Sequence, residues 1–162
     1  MLRAIQQDMP DFIEVIRKRL NLDNITFYYS TKTEFIEMLK ATKKNSDKYP
    51  FFFINASDVQ YNDTDMTCEV AEIVIATISK MNWKAPEREK ESMTILKPIY
   101  SQFLELGRYH KYVKINKEGT MQPHYFYGKT GIDGYESGIF PDHVDAISLN
   151  NFVFRLKKQC NL

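Results

Sequence analysis

Only two cysteines occur in the 162 residues, Cys68 and Cys160, and no C-x-x-C spacing links them to anything. That excludes a disulfide framework and a cysteine-built zinc site, and both thiols are expected to be reduced, as in a cytosolic compartment. An excess of one charge is missing too: 22 Lys and Arg face 21 Asp and Glu, for a net charge of +1. Without a basic surplus to displace counterions, general attraction to nucleic acid or to an anionic membrane is not expected, and only local patches remain. Long apolar runs are equally scarce. Phe51–Ile54 and Ile73–Ile78 are the longest windows, far below the roughly 20 residues of a bilayer helix. Polar residues interrupt Met1–Asp8 before a signal-peptide core forms, so neither a leader nor a membrane partner is expected. No internal period and no low-complexity tract are visible, which sets aside solenoids and linkers. What remains fits one domain, residues 1–162, long enough to bury a sizeable core.

Hydrophobic spacing then orders the chain. Ile5, Met9, Phe12, Ile13, Ile16 and Leu20 line one helical face, and Pro10 predicts that the regular helix begins there, with a loose arm before it. Ile25–Tyr29 is β-branched and aromatic, hence a strand, and Thr31-x-x-Glu34 has the form of a capping box before Phe35, Ile36 and Leu39. After a polar connection from Lys43 to Lys48, the continuous apolar run Phe51–Ile54 predicts a central strand covered on both faces. An acidic loop is expected from Asp58 to Thr67, then a long strand, Val70–Ile78, lying beside the Phe51 strand. Pro86 opens a helix expected to kink at Pro98, to run through Leu106 and to stop at Gly107. Strands are predicted around Tyr109–Ile115, His124–Tyr127 and Ile147–Leu156, the last with a bulge or tight turn where its phase shifts at Asn150–Asn151. Four of the six glycines, Gly128, Gly131, Gly134 and Gly138, crowd one stretch that reads as a long loop. The fold class is therefore α+β, with a mainly antiparallel sheet packed against two or three helices.

Motifs that carry chemistry are few. His143 alone among the three histidines has close acidic company, in Asp142-His143-x-Asp145, which reads as a polar turn more readily than as a metal site. Asp58, Asp63 and Asp65 do not match the spacing of a calcium loop, and Gly128-Lys129-Thr130 lacks the upstream glycine of a phosphate cradle. No G-x-S-x-G elbow occurs, and neither cysteine has a histidine near it in sequence. These absences point away from an enzyme, and no cofactor is expected. Ten tyrosines and eleven phenylalanines are many for this length; they serve a core or an interface about equally well.

Lys48-Tyr49-Pro50-Phe51-Phe52-Phe53, Ile75-Ala76-Thr77, Ile95-Leu96-Lys97-Pro98-Ile99-Tyr100 and Val144-Asp145-Ala146-Ile147-Ser148-Leu149-Asn150-Asn151, taken in that order, resemble a family of tailed-bacteriophage neck proteins, the tail terminators. The likeness is strongest to versions from phages and prophages of Bacteroides-type gut bacteria and spans residues 10 to 157. It implies an α+β subunit of a homo-oligomeric ring at the head–tail junction, in contact with other neck and tail proteins, with DNA passing through the lumen. Virion location, with host cytoplasm during assembly, follows from the same likeness. No catalytic residue is carried over. On this reading Asp58, Tyr61, Asp63, Asp65, Tyr135 and Phe140 are expected at subunit interfaces, on loops that order only against neighbours. Lys40, Lys43, Lys44, Lys48, Arg155, Lys157 and Lys158 are expected to face the lumen, where contact with DNA is weak and without sequence preference. The rival from a different class is a small phage-encoded, metal-dependent enzyme that processes nucleic acid.

Overall fold

The computed structural model describes residues 4–111, 113–125 and 142–156. Four helices, α1 (Ile5–Arg19), α2 (Lys32–Ala41), α3 (Ala85–Glu91) and α4 (Met93–Tyr109), accompany seven strands: β1 (Thr26–Ser30), β2 (Phe51–Asn55), β3 (Val59–Asn62), β4 (Thr67–Ile78), β5 (Val113–Lys117), β6 (Thr120–His124) and β7 (Val144–Leu156). The fold is α+β, and the sheet is antiparallel except where β1 runs parallel to β2.

β4 and β7 form its long central pair, antiparallel from Thr67↔Arg155 to Ile78↔Val144. Along the outer side of β4 lie first β3 and then β2. Along the outer side of β7 lie β5 and then β6, with a bulge between Ile115 and Lys117. Helices α1 and α4 cover one face. There Phe12, Ile16, Leu96, Ile99 and Phe103 meet Phe52, Ile73, Ile75, Ile147, Leu149, Phe152 and Phe154 in the main core. On the other face, among the described residues, helix α2 covers the β1–β2 end, where Phe35 and Leu39 close a smaller core over Phe51, Phe53, Val74 and Ala146. Phe51 and Phe53 thus point to one core while Phe52 and Ile54 point to the other, as expected of a strand buried on both faces.

The phase shift at Asn150–Asn151 is present, but no residue is inserted between β4 and β7. Their register is unbroken, and β4 changes phase at the same level, from Cys68 and Val70 to Ile73 and Ile75. Asn151 takes the left-handed conformation (φ 59°), which Asn tolerates better than most residues. Gly119, between β5 and β6, comes so close that a Cβ there would stand 1.7 Å from the Asn150 carbonyl oxygen. The β5–β6 connection thus packs against β7 at the level where β4 and β7 change phase.

The helices depart from expectation in three places. α1 begins at Ile5, not at Pro10, because Ile5 and Met9 are fully buried and the Ala4 N–H donates to Gln7 Oε1 at 3.0 Å. Core burial outweighs the one hydrogen bond that Pro10 cannot donate. The expected single helix after Pro86 is two helices separated at Ser92, and α4 continues through Pro98 between buried Leu96 and Ile99. Gly107 is no stop signal: it lies inside α4, where a Cβ would stand 2.3 Å from Ile115 Cδ1, so its role is to admit β5. The strand expected from Tyr109 starts only at Val113, since Tyr109 still belongs to α4. At α2 the capping box is as read: Glu34 N–H donates to Thr31 Oγ1, and Thr31 N–H donates to Glu34 Oε2 at 3.1 Å.

Candidate interaction surfaces

The stretch expected to be an acidic loop is mostly a β-hairpin. Asp58 ends a short 3-10 turn (Ala56–Asp58), β3 follows, and the reversal falls at Asp63–Met66. Within it Asp65 N–H donates to Asn62 Oδ1, and Asn62 Nδ2 donates to Asp65 Oδ2, each at 3.1 Å. Pairing from Val59↔Val70 to Asn62↔Thr67 ties β3 to β4, so this element belongs to the chain's own sheet. Asp58, Asp63 and Asp65 are exposed. Tyr61 is 43% exposed, and its hydroxyl accepts from the Ile5 N–H at 3.2 Å, holding the first turn of α1. Beside the hairpin lies a polar concavity of about 520 Å³, lined by Gln60, Asn62, Asp63, Asp65, Glu69 and Val153 among others.

The basic residues separate into three situations. Lys40, in the last turn of α2, and Lys43 and Lys44, just after it, are exposed. Arg155 is exposed on the sheet face opposite α1 and α4, beside Thr67 on one side and Lys114 on the other. Phe51, just after the lysine segment, pairs with Ala76, whereas Arg155 pairs with Thr67. At about 3.3 Å per residue those rows of β4 are roughly 30 Å apart, so the two clusters occupy opposite ends of the sheet. Lys48 departs from the expected solvated lysine. It is 5% exposed and its Nζ meets Asp142 Oδ2 at 3.2 Å, an oxygen that also accepts from the Tyr49 hydroxyl at 2.9 Å. Its charge is spent inside the molecule. Tyr135, Phe140, Lys157, Lys158 and the loop Gly128–Gly138 lie outside the described residues.

Sequence reading missed the polar centre of the fold. Arg88 and Asp145, 1% and 0% exposed, pair at 2.6 Å. The guanidinium also donates to Ser79 Oγ and to the carbonyls of Lys80 and Trp83, and Ser92 donates to the other Asp145 oxygen at 2.7 Å. The group is fully hydrogen-bonded and pins α3 and the β4–α3 connection to β7. The motif Asp142-His143-x-Asp145 is thus divided, Asp142 serving the Lys48 turn and Asp145 the α3 anchor. The isolated Arg88 and Ser92 gave no sequence signal, because their partner is more than fifty residues away.

One further pair has the form of a nucleophile and base: His124 Nε2 lies 2.8 Å from Ser148 Oγ. Ser148 is 1% exposed and its oxygen also accepts from Asn150 Nδ2, so the pair fastens β6 to β7. Among the described residues, no group of three or more His, Cys, Asp or Glu could hold a metal ion, and no helix is long and apolar enough to cross a membrane. No known protein family matches the chain by its sequence profile, and no curated protein sequence matches it.

Proposed function

We propose that this chain is a subunit of a homo-oligomeric ring of the tail-terminator or head–tail connector type, built into the neck of a tailed-phage virion. One observation carries the reading: the four segments that bear the resemblance form a single packed block. Phe52 of β2 pairs with Ile75 of β4, Ile75 pairs with Ile147 of β7, and Leu96 and Ile99 of α4 share their core. A likeness spread over distant stretches of sequence is therefore a likeness of one structural unit. The exposed polar residues of the hairpin, with Lys114 and Arg155 on the sheet, suit contact with proteins.

In such a ring Lys40, Lys43 and Lys44 are the phosphate-facing candidates, and Lys48 is not. The reading is tested on particles and on DNA. Purified virions should contain the chain, and its absence from them refutes the proposal. Replacing Lys40, Lys43 and Lys44 by Ser should weaken retention on duplex DNA of any sequence and flatten its salt dependence, by a slope of about 0.9 per lost phosphate contact. Unchanged retention removes these lysines from the lumen.

A further inference from the structure

We propose that the chain assembles head to tail, the β1–α2 edge of one copy receiving the β5 edge strand of the next. This rests on the ring reading above and gives that ring its contact surface.

β1 is the outermost strand on its side of the sheet. In its parallel ladder Thr26 N–H donates to the Pro50 carbonyl at 3.0 Å, so Thr26, Tyr28 and Ser30 face β2 while the main-chain groups of Phe27 and Tyr29 point outward. Among the described residues, no backbone bond reaches those outward groups. The devices that normally keep an edge from pairing are missing, since Thr26-Phe27-Tyr28-Tyr29-Ser30 holds no charge and no proline. Alongside, α2 sets Glu34, Glu37, Met38 and Ala41 at helical spacing against Tyr29 and Ser30, forming a shallow groove of about 530 Å³. Met38 is 38% exposed in it. An apolar floor flanked by two carboxylates and an unpaired strand edge fits an extended segment that carries positive charge.

Such a segment stands on the far side of the same sheet. β5, Val113-Lys114-Ile115-Asn116-Lys117, is an edge strand whose Val113 is buried while Lys114 and Lys117 are exposed. Both lysines sit in register with Arg155 and Val153, residues of the sheet face that α2 occupies at the other edge. Pairing β5 beside β1 therefore sets lysines next to Glu37. The same charges exclude the symmetric alternatives: two β5 edges would oppose Lys to Lys, and two β1 edges would bring Glu37 towards Glu37. Only unlike edges combine, and a contact between unlike edges is heterologous, which generates a ring when its rotation closes.

Charge reversal tests this in sedimentation velocity over a concentration series. The wild-type chain should form concentration-dependent oligomers. Glu37→Lys, and separately Lys114→Glu with Lys117→Glu, should each weaken association by about tenfold or more, with Glu37→Gln falling between. All three positions are exposed, so each variant should keep the wild-type melting temperature. Mixing the two reversed variants should restore assembly, because each presents the charge the other lost. Wild-type protein that stays monomeric throughout, reversed variants that assemble normally, or a mixture that stays dissociated overturns the proposed contact. The ring reading is judged separately, by whether virions contain the chain.

Discussion

Asp145→Ala should be among the most damaging single substitutions in the molecule. It removes the carboxylate that neutralises Arg88, which is 1% exposed and keeps its three other acceptors, so a guanidinium charge is left buried without a counter-ion. Ser92 loses its acceptor at the same time. Breaking a buried pair in this way costs about 3–5 kcal/mol. For a chain of this size each kcal/mol lowers the melting temperature by about 2–4 °C, so a drop of roughly 6–20 °C is expected. Urea unfolding, followed by far-UV circular dichroism and by the fluorescence of the single tryptophan, should show a lower midpoint with an unchanged slope. Because the pair is sealed from solvent, adding salt should leave the difference in place. The double variant Arg88→Met with Asp145→Leu should recover part of the loss, since no charge is then stranded; the carbonyls of Lys80 and Trp83 still lose a donor. A loss below about 1 kcal/mol for Asp145→Ala, or a double variant no better than the single one, would refute this account of the polar centre.

At the bend of the sheet, Gly119→Ala should cost about 1–3 kcal/mol in the same urea assay, because its Cβ would overlap the Asn150 carbonyl. Asn151→Gly should be nearly neutral and Asn151→Val clearly destabilising, as the left-handed backbone at that position requires. Burial pushes the Cys68 thiol up to about 12 and raises Tyr49 and Tyr61 as well. The fold thus favours their neutral forms; stability is full below the ordinary thiol value of 9.0 and is lost as pH rises from there towards 12. Tyr49→Phe should reduce that alkaline loss, and in a Cys160→Ser background a thiol reagent at pH 8 should label Cys68 only after unfolding; rapid labelling of native protein would contradict its burial.

What the sequence determined by itself was local. The Thr31 capping box, the doubly covered Phe51–Ile54 strand and the phase shift at Asn150–Asn151 follow from residues a few positions apart, the pairing of that strand with Val70–Ile78 follows from two successive apolar runs, and with them the α+β class was legible. The tertiary structure decided whatever depended on a distant partner. Pro10 sits inside α1 because Ile5 and Met9 reach the core, and Gly107 serves the approach of Ile115 instead of ending a helix. Lys48 looked like one lysine of a solvated run until the fold brought Asp142 to it, and the acidic stretch looked like a loop because β3 is short and polar and becomes a strand only along β4. Arg88 and Asp145 carry no mutual signal in the chain, yet sheet and helix packing make them one buried unit. Spacing along a sequence encodes which face a residue presents; which charge is neutralised, and by what, is fixed only when separate elements meet in a medium where an unpaired charge is too costly to leave.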